Sequence, residues 1–100
     1  MLVIAGEIEI DPAQHDAAVA AAARMMEATR QEAGCHAYVF SADLSARGRF
    51  RLFEEWESPE ALAAHFGAPH MAEFQKAIGG LGVRRMDVAR YEIASKGPLR

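Results

Sequence analysis

The stretch Phe53–Met71 reads FEEWESPEALAAHFGAPHM and carries four glutamates, two histidines and the chain's one tryptophan. A carboxyl group partly removed from water holds its proton more tightly. A histidine beside it can exchange protons near neutral pH. The question is whether the spacing brings such groups together. Over Phe50–Glu57 the residues Phe50, Leu52, Glu54 and Trp56 alternate onto one strand face, with Glu54 its only charge. Arg51, Phe53, Glu55 and Glu57 fall on the other face. In the helical segment that follows, Leu62, His65 and Phe66 form an apolar set at i, i+3 and i+4. That helix must pack on the sheet, so Glu54, Trp56 and His65 are expected to line one cavity. His65 or Glu54 would then be the base and Trp56 a wall. Tyr38, Phe40, Met71 and Phe74 could complete a pocket for a flat aromatic ligand, with His70 at its edge.

Each of these residues also has a plainer reading. Trp56 suits a core position. Glu54 could pair with His65 or Arg90 as a structural contact, and His65 could be a hydrogen-bonded core histidine. His70 opens a helical segment and could simply sit near its N-terminus. Cys35 follows a helix stop and reads as packed rather than reactive. His15 reads as a solvated first-turn residue, and His36 starts a strand. No metal site is expected. His65 and His70 are five positions apart, which does not place both on one helix face, and there is no second cysteine. No phosphate-binding glycine loop or nucleophile elbow occurs, so no nucleotide or flavin cofactor is indicated.

The elements that would position these groups follow from the rest of the chain. Residues 2–10 alternate, with Leu2, Ile4, Gly6, Ile8 and Ile10 on one face. Asp11-Pro12-Ala13-Gln14 is a helix start. A helix is expected from there to about Ala33, with His15, Val19, Ala22, Met26, Thr29 and Ala33 as its buried stripe and Gly34 as its stop. His36–Ala42 and Phe50–Glu57 read as two strands of a hairpin around a polar turn containing Gly48. Ser58-Pro59-Glu60 caps a second helix. Gly67-Ala68-Pro69 interrupts it before a segment to Ile78, and a last strand covers about Arg85 to Ile93.

This β-α-β-β-α-β order predicts an α+β, ferredoxin-like fold with both helical layers on one sheet face, as a single domain over residues 1–100. The other face should be polar if it met water, yet it holds Val3, Ala5, Val39, Phe53 and Tyr91. A second copy of the chain is the simplest cover. With 51% apolar residues and a net charge of −3, the chain is neither disordered nor a nucleic-acid binder. The first residues form neither a signal peptide nor a membrane span, so a soluble cytoplasmic protein is expected.

The motifs Glu32-Ala33-Gly34-Cys35-x-x-Tyr38, Phe53-Glu54-x-Trp56-x-Ser58-x-x-Ala61-Leu62-x-x-His65 and Pro69-His70-Met71-x-x-Phe74 occur in that order. Together they resemble the antibiotic biosynthesis monooxygenase family, in particular its small quinol-monooxygenase-like members. The resemblance covers roughly residues 2–93. It implies a homodimer whose two sheets form a dimeric α+β barrel, with a pocket between sheet and helices in each subunit. Members of the family include cofactor-independent oxygenases of quinols and polyketide aromatics, haem degraders and a sugar isomerase. The haem degraders use an asparagine on the first strand, and this chain has no asparagine at all. The leading expectation is therefore a cofactor-independent monooxygenase that takes a small aromatic such as a quinol, and O₂. An isomerase that enolises a small carbonyl compound, or a dimer that only binds a small hydrophobic ligand, are the alternatives.

Overall fold

The computed structural model describes residues 1–100. Strands β1 (Leu2–Ile10), β2 (Cys35–Ala42), β3 (Arg49–Trp56) and β4 (Val83–Glu92) form one antiparallel sheet in the order β2-β3-β1-β4. Helix α1 (His15–Thr29) follows a 3₁₀ turn at Pro12–Gln14, and α2 (Pro59–Phe66) and α3 (Pro69–Ile78) lie between β3 and β4. This is the ferredoxin-like α+β arrangement, with its second helical layer split in two.

The alternation of each strand decides which residues meet the helices. The register places Tyr38 opposite Glu54, and Glu54 opposite Ile4. Trp56 faces Leu2 on one side and Cys35 on the other. A cluster of Leu2, Met25, Tyr38, Leu52, Trp56 and Leu62 forms the core at one end of this face. Ile10, Ala18, Phe50 and Leu81 form a smaller one at the other end. The opposite face keeps Phe53 and Tyr91 44% and 51% exposed, so one part of it is apolar and uncovered within one chain. Beside them, Glu7 is ringed by Arg49, Arg51 and Arg85 at 3.4, 3.2 and 3.1 Å.

Three expectations need correction. First, α1 ends at Thr29 rather than near Ala33. The chain leaves it through tight turns in which Glu32 N–H donates to Thr29 O and Cys35 N–H to Glu32 O. Second, its buried stripe is Ala18, Ala21, Ala22, Met25 and Thr29, whereas Val19 is exposed. A run of alanines offers no size contrast, so the apolar pattern left the helix phase undetermined by one residue. Third, His15 is not a solvated residue. Its ring stacks on Phe50 at 5.0 Å, and its Nδ1 accepts from Gly48 N–H at 2.9 Å.

The turn after α1 is the segment on which the site depends, and it is held from several sides. Arg30 Nε donates to Tyr38 O at 3.0 Å. Phe40 N–H donates to the Met26 sulfur at 3.2 Å. Glu57 N–H donates to Gly34 O at 2.8 Å. Gly34 has φ 82°, and a Cβ there would lie 2.7 Å from Ala61 Cβ in α2. Gly34→Ala should therefore lower stability by about 1–2 kcal/mol from the left-handed backbone alone, and further from the clash with α2. Urea unfolding measures it, and an unchanged midpoint would mean that the turn has no such constraint.

Candidate active site

A glutamate that the motif analysis left without a role organises the site. Glu32 stands in the turn just past α1 and reaches across to the second helical layer. Its Oε2 lies 2.7 Å from His65 Nδ1 and 2.7 Å from His70 Nε2. A carboxylate can only accept, so both imidazole nitrogens that face it carry protons. The local sequence explains the convergence. Ser58 caps α2 by accepting from Ala61 N–H, and Pro59 occupies the first turn. These fix the phase that turns Leu62 and His65 inward. At Gly67–Ala68 the chain breaks, and Pro69 starts α3 in a new direction. His70 then meets the same oxygen as His65, with ring centroids 6.0 Å apart. The expectation that five positions of separation keep the two histidines apart fails because they sit on two helices, not one.

His65 is completely buried, and its other nitrogen, Nε2, has no hydrogen-bond partner. Its ring centroid lies 4.8 Å from that of Trp56 and 5.4 Å from that of Tyr38. One imidazole nitrogen is thus anchored while the other presents a buried lone pair among aromatic rings. Glu54 lies close by but bonds neither His65 nor Arg90. It accepts from Trp56 Nε1 at 2.8 Å. Burial pushes the Glu54 carboxyl above its usual range and Glu32 adds to this, while the indole N–H and His65 oppose the shift. Burial, reinforced by the Glu54 charge, likewise drives the Tyr38 phenol upward, so it stays protonated. The Cys35 thiol is also raised, by burial first and then by Glu32 and Glu54. A raised thiol is a poor nucleophile, in keeping with a packed cysteine.

The expected open cavity around Glu54, Trp56 and His65 is filled. These three side chains pack against one another and line none of the principal cavities. A wholly apolar cavity lies farther along the same sheet face, between the sheet and the helices. Phe40 and Phe74 bound it together with Ile8, Ile78 and Met86. It measures about 30 Å³, against the roughly 300 Å³ or more that a small-molecule site requires. Tyr38 and Phe40, 5.7 Å apart at their centroids, connect it to the polar cluster. Met71 packs against the core beside the cluster. His70 borders a separate groove between α1 and α3, and the Glu32 and His70 side chains are both partly exposed. Phe74 and Ile78, which bound the apolar cavity, belong to α3, a helix with no fully buried residue.

The sequence reading thus named His65, His70, Trp56 and Glu54, and the fold gathers all four. It passed over Glu32, although Glu32 opens the first of the three motifs. The missing signal was the position of the helix end. Placed inside a helix running to Ala33, Glu32 reads as a solvated face, whereas in a turn after Thr29 it can point back at α2.

A family model described as antibiotic biosynthesis monooxygenase matches residues 1–77. The chain belongs to this family. YgiN of Escherichia coli, named a probable quinol monooxygenase, is 32% identical over 90 residues, 80% of this chain and 86% of that protein. A crystal structure from Deinococcus radiodurans superposes with a TM-score of 0.90 at 26% identity, over 100% of this chain and 99% of that one. Rv0793 from Mycobacterium tuberculosis gives a TM-score of 0.84 at 29% identity, with 97% of each chain covered. Membership in the antibiotic biosynthesis monooxygenase family makes the general class of the chain monooxygenase-like, and no helix is long and apolar enough to cross a membrane.

The buried carboxyl makes stability depend on pH in a definite direction. Glu54 has a folded pKa above its usual 4.5, so the folded chain binds its proton more tightly than the unfolded chain. Its stabilising contribution is full below about 4.5 and is lost as pH rises through the raised folded value. In urea titrations from pH 4 to 8, the stability of Glu54→Gln relative to the parent should therefore rise with pH. A difference that stays flat would mean that Glu54 ionises as freely in the fold as in water.

Proposed function

We propose that the chain is a cytoplasmic, homodimeric, cofactor-independent monooxygenase that uses O₂ on a small aromatic substrate, a quinol. The observation that carries this reading is the buried, unpartnered Nε2 of His65, whose ring is oriented by the Nδ1 hydrogen bond to Glu32. A base needs one free nitrogen in a fixed tautomer, and a carboxylate behind the ring supplies both the tautomer and stabilisation of the imidazolium that forms. The name of the Escherichia coli relative, a probable quinol monooxygenase, supports the substrate class.

The reaction balances without a further reagent. His65 Nε2 takes a proton from a phenolic O–H of the quinol. The anion gives an electron pair from a ring carbon to O₂, forming a C–O bond, and the imidazolium protonates the resulting peroxide anion to a hydroperoxide. Breaking the O–O bond with loss of water leaves a second carbonyl on the ring. One quinol and one O₂ thus give a hydroxylated quinone and one water, the quinol losing four electrons and O₂ gaining them. As the O–O bond breaks, His65 takes the proton of the same ring carbon while the C=O forms, and the imidazolium passes it to the departing hydroxide. Burial keeps water from competing, and the Glu32 carboxylate behind the ring steadies the imidazolium while it holds the proton.

The aromatic ring is assigned to the cavity bounded by Phe40 and Phe74, beside Tyr38, with Trp56 and Met71 forming the wall behind the base. That cavity must widen before it admits a ring, and α3, which supplies Phe74 and Ile78 to its boundary and has no fully buried residue, is the element that would move. Assembly is assigned to the apolar outer face carrying Val39, Phe53 and Tyr91.

Oxygen-electrode assays over a quinol panel test the chemistry. Uptake should need the protein, match quinol consumed one to one, and fall about 10²–10⁴-fold in His65→Ala. Glu32→Gln, which keeps the shape but weakens the anchor, should fall less. Enzyme-dependent uptake that is unchanged in folded His65→Ala would remove the histidine from the reaction, and isomerised product without uptake would favour the enolisation alternative. Sedimentation at micromolar concentration tests the assembly: twice the chain mass is expected, and Phe53→Asp should give monomer. A parent chain that sediments as a monomer at these concentrations contradicts the assignment of the outer face.

A further inference from the structure

Two imidazoles and one carboxylate on three different segments, meeting at one point, form more than a hydrogen-bond relay. We propose that Glu32, His65 and His70 constitute a binding site for one divalent first-row transition-metal ion of the zinc class. Donor type, geometry, charge and access support the proposal. Two imidazoles with one carboxylate select zinc and its neighbours over magnesium or calcium, which prefer all-oxygen sites. The three donor atoms, Glu32 Oε2, His65 Nδ1 and His70 Nε2, lie within 4.8 Å of one another. Ligation at about 2.0–2.1 Å in a tetrahedron asks for donor separations of about 3.4 Å. The two N···O distances of 2.7 Å therefore have to open and the N···N distance has to settle near the same value.

Those shifts are about 1 Å or less for each N···O pair, and the adaptable member is known. His65 is locked in the core, but His70 rides on α3, which has no fully buried residue. The net charge of a carboxylate with two neutral imidazoles is negative, which favours a dication. The Glu32 and His70 side chains are 16% and 22% exposed, so an ion can reach them from solvent, with His70 bordering the α1–α3 groove, and water can fill the fourth position. This is the three-ligand pattern with an open place, not a closed structural site.

Binding has a consequence for the proton chemistry proposed above, and only this consequence rests on that reading. An imidazole ligates through an unprotonated nitrogen. For each neutral ring the proton then moves from the nitrogen facing Glu32 to the other one. His65 Nε2 changes from acceptor to donor, and the base is gone. Metal-bound and base-competent forms are mutually exclusive states of the same three side chains, so the ion acts as an off-switch.

Tag-free protein, stripped with a chelator and titrated with Zn²⁺ by calorimetry and with Co²⁺ by visible absorption, tests the site without reference to activity. One ion per chain is expected, with Co²⁺ ligand-field bands of the intensity that tetrahedral ligation gives. His70→Ala, on a lightly buried helix, should weaken binding at least 10-fold with unchanged circular dichroism. Glu32→Ala should do the same, and His36→Ala, at an exposed strand start, should leave it unchanged. Absence of binding at millimolar metal overturns the site, as does binding that survives both His70→Ala and Glu32→Ala. The switch is read separately: Zn²⁺ at saturating concentration should suppress quinol-dependent O₂ uptake, and a chelator should restore it. Full turnover by the zinc-loaded protein would overturn the switch. Absence of any quinol turnover would sink the proposed reaction while the binding result stood.

Discussion

A single carboxylate oxygen holds the polar interior together. Glu32 Oε2 accepts from His65 on α2 and from His70 on α3, and so ties the exit of α1 to both pieces of the second helical layer. Without it, His65 would be a fully buried imidazole with both nitrogens unpaired, since Nε2 has no partner already. An unpaired buried polar group costs roughly 1–3 kcal/mol. The same oxygen also decides the tautomer of His65. Structure and chemistry therefore depend on the same atom, and that atom is placed by a turn rather than by a helix or strand.

That dependence explains which parts of the molecule were legible in the sequence. The strands and their order follow from alternation, because a sheet covered on one face separates its residues with period two. Helix α2 follows from Ser58 and Pro59, whose capping and N1 geometry are local properties. The phase of α1 was not legible, since alanine is as acceptable on the buried side as on the exposed side. Its end was not legible either: Gly34 is a stop signal, but the chain had already left the helix at Thr29 and used the intervening residues for tight turns. Glu32 was hidden by that misplacement alone. The inward turn of His65 was readable from its spacing to Leu62. Its meeting with His70 was not, because the direction of α3 depends on the backbone at Gly67 and Ala68 rather than on any periodicity.

The packing of the two cores separates rigid from adaptable regions. Around Trp56 every neighbour is fixed: the indole N–H is spent on Glu54, His65 lies against its ring, and Leu2, Tyr38 and Leu62 close the rest. Such a region can hold a base within a few tenths of an ångström of one position, which is what proton transfer requires. Around the apolar cavity the situation is reversed. Its boundary includes Phe74 and Ile78 of α3 and Met86 of the edge strand β4, and Met86 is 55% exposed. Its other wall is the buried cluster of Ile10, Ala18, Phe50 and Leu81, so enlargement falls to the α3 and β4 side. A rigid polar end beside a deformable apolar end suits a reaction in which the reacting oxygen of the substrate must be placed accurately while its ring varies.

The buried Glu54 has to be reconciled with this arrangement, because a second carboxylate so close to Glu32 raises the cost of charge there. Two carboxylates at one site separate in proton affinity, the more buried one holding its proton to higher pH. Glu32 has two N–H donors and contact with water, whereas Glu54 has one donor, the indole of Trp56, and little solvent. Glu32 thus orients the histidines, while burial, reinforced by the Glu32 charge, makes Glu54 hold its proton above its usual range. Trp56 limits this tendency by supplying its N–H to the carboxylate, and it can do so only because the strand alternation puts positions 54 and 56 on the same face. Replacing the indole with a phenyl ring would keep most of the packing and remove the donor, leaving Glu54 with a carboxyl that ionises still less readily. The raised carboxyl of Glu54 and the anchoring role of Glu32 are thus written into a spacing of two residues on β3 and a turn after α1.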